Sequence, residues 1–123
     1  MAHTIVSSAT VLDSQAAIAR LGNDTELFSD LIEFFSADAP ELMTQLRQAQ
    51  DAGQMRDLRM KAHALKGLIS GCGGVRGVLA AQAVEDAAAS NRADLPDLVS
   101  ALETEISELE HALSAHRRPG TAR

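Results

Sequence analysis

The stretch Arg56-Asp57-Leu58-Arg59-Met60-Lys61-Ala62-His63-Ala64-Leu65-Lys66-Gly67-Leu68-Ile69-Ser70-Gly71-Cys72 carries two patterns at once. Leu58, Ala62, Leu65, Ile69 and Cys72 recur at spacings of four and three, the seam of a helix packed in a bundle. With His63 at zero on a helical wheel, that seam centres roughly 140° away. The imidazole therefore faces solvent, and Arg56, Arg59, Met60, Lys66, Gly67 and Ser70 fall within about 60° of it. One side of this helix is core; the other presents a histidine among cations.

Similar seams lie on both sides of it. Asp13 caps a short helix through Ile18 and Leu21 that stops at Gly22. Asp24 caps a second segment whose Leu27, Phe28, Leu31, Ile32, Phe34 and Phe35 cover an arc of roughly 160°, wide enough for its edges to reach the surface. Asp38-Ala39-Pro40-Glu41 has the signature of a fresh helix start, so a break or kink is expected near Pro40, with two roughly collinear pieces. Leu42, Leu46 and Ala49 then continue the stripe to Gly53. After the 56–72 helix, Gly71, Gly73 and Gly74 mark a turn. A fourth helix is expected from Val75 to Ser90, with a thin apolar side of Ala80, Val84 and Ala87. Asp94-Leu95-Pro96-Asp97 starts a fifth, with the stripe Leu95, Leu98, Leu102, Ile106, Leu109 and Leu113. The pattern predicts an all-α fold: an antiparallel, up-down-up-down four-helix bundle with a short additional N-terminal helix. Residues 1–11 form an N-terminal extension, 12–113 the bundle and 114–123 a flexible C-terminal tail.

Composition closes off other classes. The 123 residues include 11 basic and 17 acidic side chains, a net charge of −6, with one cysteine, three phenylalanines and no tryptophan or tyrosine. A single cysteine permits neither an internal disulfide nor a multi-cysteine metal site. An acidic chain poor in aromatics is ill suited to nucleic acid. No apolar run approaches a membrane span, and Met1-Ala2-His3-Thr4 carry no basic n-region, so a cytoplasmic protein is expected. The glycines from Gly67 to Gly77 lack the Gly-Lys-Ser/Thr of a phosphate loop, and Arg76 occupies the third-glycine position of a dinucleotide fingerprint. They are read as a helix end and turn. His3, His111 and His116 are assigned to the surface, and Cys72 to the core seam.

Chemistry concentrates at His63. Arg56, Arg59, Lys61 and Lys66 crowd this stretch against a single Asp57. A solvent-facing imidazole keeps a free ring lone pair in a fair fraction of molecules near neutrality. Cations around it would stabilise a phosphoryl group, which brings about −1.5 to −2 charges. Gly67 costs a helix about 1 kcal/mol relative to alanine, and its missing side chain would let a partner come close to His63. Taken alone, the pattern is more often that of a solvated face with an incidental histidine.

His63-Ala64-Leu65-Lys66-Gly67, with Gly73 ten residues after the histidine, resembles the histidine-containing phosphotransfer (HPt) domain family. The resemblance spans residues 12–113. It takes in Ala19-Arg20-Leu21-Gly22-Asn23-Asp24, Phe35-Ser36-Ala37-Asp38-Ala39-Pro40-Glu41-Leu42 and Val84-Glu85-Asp86-Ala87-Ala88, in the expected order. It implies a phosphorelay intermediate rather than an enzyme. His63 would accept a phosphoryl group from a receiver-domain aspartate and pass it to another receiver, Lys66 would support the phosphate and Gly67 would give clearance. The implied partners are response-regulator receiver domains and/or a hybrid histidine kinase, met through Arg56, Arg59, Met60 and Ser70. No cofactor of its own is implied; Mg²⁺ would belong to the receiver. Leu68, where the family often has a small polar residue, and Gly77, where it commonly has leucine, depart from the pattern. The alternative function is a non-phosphorylated bundle that binds a receiver or other signalling protein as an adaptor. A metal or haem bundle is disfavoured by the absent Cys-x-x-Cys-His motif and by the lack of paired inward histidines.

Overall fold

Two aspartates set the N-terminal half of the molecule. Asp13 Oδ1 accepts the Ala16 N–H at 3.1 Å, and Asp24 Oδ1 accepts the Leu27 N–H at 3.0 Å. Each satisfies an amide that the first helical turn would otherwise leave unpaired. The structure, a computed structural model, describes residues 10–117. Five α-helices follow one another: α1 (Ser14–Arg20), α2 (Thr25–Asp51), α3 (Met55–Gly71), α4 (Arg76–Ala89) and α5 (Leu95–Leu113), with a 3-10 turn at Ser114–His116. Short connections make α2 to α5 an antiparallel four-helix bundle, and α1 packs on its end. The α2–α3, α3–α4 and α4–α5 contacts are extensive, whereas α2 and α5 touch only lightly.

Apart from Val99 of α5, the large fully buried side chains are those the seams supply: Phe28, Ile32, Phe35 and Leu46 from α2; Leu58, Leu65 and Ile69 from α3; Val84 from α4; and Leu102, Leu109 and Leu113 from α5. Leu27 and Phe34, at one edge of the wide α2 arc, are exposed, whereas Ile32 at the other edge is buried. Two faces are rotated slightly from expectation. In α4 Ala81 is buried and Ala80 only partly so; in α5 Val99 is buried while Leu98 and Ile106 are half-covered. The α5 difference follows from the light α2–α5 contact. A hollow of about 300 Å³ lined by Pro40, Met43 and Ile106 lies between these helices, and α5 packs chiefly on α4.

The expected break at Pro40 does not occur. Helix α2 runs unbroken over 27 residues, so Asp38 is interior rather than a cap. Proline inside a helix costs about 3 kcal/mol. Phe35, Ala39, Met43 and Leu46 are buried on one continuous face across that point, and burying each large apolar side chain returns about 1.5–3 kcal/mol. Packing therefore overrides the local stop signal. The ring itself sits on the exposed side, and Thr44 Oγ1 donates to the Pro40 carbonyl at 3.0 Å.

Both ends of the described chain are tied down. Val11–Asp13 straps the α3–α4 turn: Asp13 N–H donates to Gly73 O at 2.8 Å and Val75 N–H to Val11 O at 3.0 Å. At the other end Ser114–Arg117, the described part of the expected tail, lies against α2. Arg117 Nη2 donates to Glu33 at 3.2 Å and Nη1 to Ser36 Oγ at 3.1 Å. Residues 118–123 of the expected tail and 1–9 of the extension lie outside the described residues.

Gly73, Gly74 and Gly77 are demanded by packing; a Cβ on Gly74 would stand 2.5 Å from Ile69 Cγ2. Gly73 has φ +85°, and a Cβ there would stand 2.7 Å from Asp13 O. Gly77 lies inside α4 against α3, where a Cβ would meet Ile69 Cγ2 at 2.9 Å. Gly73→Ala should therefore lower stability by at least the left-handed backbone cost of about 1–2 kcal/mol. Gly77→Ala should also destabilise despite alanine's better helix propensity. Urea unfolding midpoints check both; a Gly77→Ala variant more stable than the parent would show that α3 and α4 are not in contact there.

Candidate functional site

His63 projects from the middle of α3 with 71% of its side chain exposed, as the wheel requires for a residue opposite Leu58, Ala62, Leu65 and Ile69. It stands between two hollows along the α3–α4 groove. One, of about 460 Å³, is lined by Arg56, Arg59, Met60, His63 and Glu85; the other, of about 310 Å³, by His63, Lys66, Gly67, Ser70 and Val78. All seven residues singled out from the sequence thus border one continuous surface. Met60 is 59% exposed, and Ser70 is exposed, its carbonyl accepting from Arg20 Nη2 of α1 at 3.0 Å.

The charge distribution differs from the one read along α3 alone. Glu85, from α4, is only 18% exposed and lies between the two key side chains. Its Oε1 is 3.4 Å from His63 Nδ1, and its Oε2 is 2.8 Å from Lys66 Nζ. The Oε2 approach is an ion-pair contact outside hydrogen-bond geometry. Lys66 Nζ also donates to Gln82 Oε1 at 2.8 Å, and Gln82 Nε2 donates to Asp86 Oδ1 at 2.9 Å. Lys66 is therefore held against α4, one helical turn from His63. Sequence reasoning missed Glu85 and Gln82, because the register of α4 against α3 is a tertiary property. The one available signal was the acidic residue directly after the core residue Val84.

A carboxylate at Nδ1 has a chemical consequence. It favours the neutral tautomer that carries its proton on Nδ1, which leaves the free lone pair of the ring on Nε2. A nucleophilic nitrogen at the surface, with a cation in reach and open space one turn on, suits group transfer to or from a second macromolecule.

The family model of the Hpt domain matches residues 30–114. The chain belongs to the Hpt domain family. Its structure is also similar to the crystal structure of histidine-containing phosphotransfer protein B (HptB) from Pseudomonas aeruginosa PAO1. The TM-score is 0.80 at 25% sequence identity, over 89% of this chain and 96% of that one. No curated protein sequence matches. Hpt domains are phosphocarrier signalling modules of two-component phosphorelays that interact with receiver domains and kinases, and a phosphotransfer role in a phosphorelay follows for this chain. No helix among the described residues is long and apolar enough to cross a membrane.

The two departures from the family's common pattern both fall away from the His63 surface. Leu68 is half-buried and packs on the core, and Gly77 is buried against Ile69. Gly67 is different: a Cβ there would meet nothing within 4 Å, so no contact within the chain requires its absence. Of the remaining glycines in this region, Gly71 ends α3, while Gly73 and Gly74 form the turn. Arg76 is occupied structurally: its Nη2 donates to Glu105 Oε2 at 2.9 Å and ties α4 to α5, a hydrogen bond that raises the guanidinium pKa. His111 and His116 are exposed, the latter edge-on to Phe28 at 5.8 Å.

Cys72 is core, as its seam position implies. It is 1% exposed, and its Sγ lies 3.3 Å from Leu31 O. Burial, with Glu110 adding, pushes its pKa up to about 12. The thiol therefore stays protonated through neutral pH. A disulfide-exchange reagent should not react with the native Hpt protein at pH 8, and should react stoichiometrically in denaturant. Rapid native labelling would contradict the burial.

Proposed function

We propose that this Hpt protein is a phosphorelay shuttle: His63 takes a phosphoryl group from a receiver-domain aspartate and hands it to a second receiver. The observation that carries the proposal is the exposed imidazole whose Nδ1 faces Glu85, leaving Nε2 outward. In the forward step the Nε2 lone pair attacks phosphorus in line as the bond to the aspartyl oxygen breaks. The aspartate leaves as carboxylate, and the proton on Nδ1 stays in place beside Glu85. In the product the ring is an imidazolium that bears the anionic phosphoryl group, and the carboxylate at Nδ1 stabilises the ring's positive charge. The second receiver reverses the step with its own aspartate.

Lys66 supplies charge where it is needed. Its Nζ is held by Gln82 and Glu85 before transfer, and one helical turn separates it from the histidine. The arriving charge of about −1.5 to −2 draws it from a neutral amide oxygen towards phosphate. Gly67 leaves the approach open. Positioning and electrostatic support dominate such transfers, and Mg²⁺ and the acid anhydride belong to the receiver. The chain acts as a carrier and uses no ATP itself; the cytoplasm is the compartment in which receivers would reach it.

Three variants test these roles. His63→Gln should abolish acid-labile, base-stable phosphorylation by a phosphorylated receiver while circular dichroism stays unchanged. Full labelling of that variant would refute the acceptor assignment. Lys66→Ala should slow transfer or shorten phosphohistidine lifetime with little effect on stability; rates equal to the parent would reduce it to a helix–helix tether. Gly67→Leu should fold, because its side chain enters open space, yet transfer poorly even at saturating receiver. A displacement of about 1 Å from near-attack geometry can cost 10²-fold, and normal transfer by Gly67→Leu would remove the clearance role.

A further inference from the structure

The protein carries −6 overall, and six of the nine described lysines and arginines sit in ion pairs within the chain. Arg47 is paired with Glu103, Lys66 with Glu85, Arg76 with Glu105 and Arg117 with Glu33. Every other described lysine or arginine has a partner too, with two exceptions: Arg56 and Arg59. Both are exposed, and both line the larger hollow at His63 together with Met60, an exposed apolar side chain. In a chain rich in carboxylates, the described cations that lack any partner thus lie together on one flank of His63.

The position of these arginines separates them from the phosphoryl chemistry. They precede His63 by one and two helical turns, about 6 Å and 10 Å along the axis. The lysine in reach of phosphate and the open glycine lie on the other side of the histidine. Helical side chains lean towards the N-terminus, which carries both guanidinium groups further away from the ring. Unpaired arginines flanking an exposed methionine form a docking rim: an apolar contact bordered by forks that match carboxylates. The donor group that must reach His63, an aspartyl phosphate, is itself anionic, so an acidic partner surface is the one this rim can draw in.

We infer that Arg56 and Arg59 select the partner: they favour receiver domains that carry carboxylates beside an apolar residue on the rim of their phosphorylated aspartate. The inference rests on the phosphorelay reading above and adds the chemistry of the partner's surface. The rest of this acidic surface repels such a receiver, and the arginine flank orients it so that the aspartyl phosphate meets Nε2. Rim charges of this kind act on encounter rate and salt dependence more than on the chemical step.

The test measures binding of isolated receiver domains from the same genome to the full chain, by fluorescence anisotropy across a range of NaCl concentrations. Arg56→Glu/Arg59→Glu should weaken the tightest receiver roughly ten-fold or more and flatten its salt dependence. Exchanging the facing receiver carboxylates for lysine should restore binding to that variant. Labelling of His63 with phosphoramidate, a small donor with no protein surface, should give the same phosphohistidine lifetime in variant and parent. Unchanged receiver affinity and salt slope in the variant would overturn the inference alone, as would a shortened phosphohistidine lifetime, which would place the guanidinium groups on the phosphoryl group. If no receiver binds the parent chain, the phosphorelay reading falls and the inference falls with it.

Discussion

The close approach of α4 to α3 is the constraint on which the site depends. It is possible because α4 offers α3 almost no side-chain bulk: Gly77, Ala81, Val84, Ala87 and Ala88 are its buried residues. Gly77 sits so near Ile69 that a Cβ would overlap it. At that separation a side chain as short as glutamate spans the groove, and Glu85 reaches both the imidazole and the ammonium of α3. A bulkier α4 face would hold the helices further apart and leave Glu85 in solvent. The thinness of the α4 seam is therefore a requirement of the site as well as a packing solution.

From that approach follows a division of labour between two helices. Helix α3 presents His63 and the exposed surface around it; α4 supplies Glu85 beside His63 and, with Gln82, holds Lys66. The neighbouring ties serve the same end. Arg76 fixes α4 to α5, the Val11–Asp13 strap closes over the α3–α4 turn, and Arg20 reaches the Ser70 carbonyl at the end of the exposed surface.

Much of this was legible in the sequence, for identifiable reasons. The caps Asp13 and Asp24 act through local hydrogen bonds, and the seams of α2 and α3 repeat over enough turns to fix which face is buried. The same periodicity put His63 in solvent and gathered Arg56, Arg59, Met60, Lys66, Gly67 and Ser70 around it. What escaped was tertiary. Pro40 looks like a helix start until the burial of Phe35, Ala39 and Met43 on either side is weighed against it. Val99 and Ala81 took buried positions assigned to their neighbours, because the seams of α4 and α5 turn towards each other where α2 and α5 stand apart. Glu85 could not be placed beside His63 from α3 alone, and it changes a uniformly cationic field into one with a carboxylate at its centre.

The central claim is that Glu85 holds Nδ1 and leaves Nε2 of His63 to carry the phosphoryl group. Nitrogen-15 and phosphorus-31 NMR of the histidine-labelled protein, phosphorylated by a receiver, tests it most directly. The account predicts one phosphohistidine, at His63, with phosphorus coupled to Nε2 and a proton retained on Nδ1. Coupling to Nδ1, or a phosphoryl group on any residue other than His63, would contradict it.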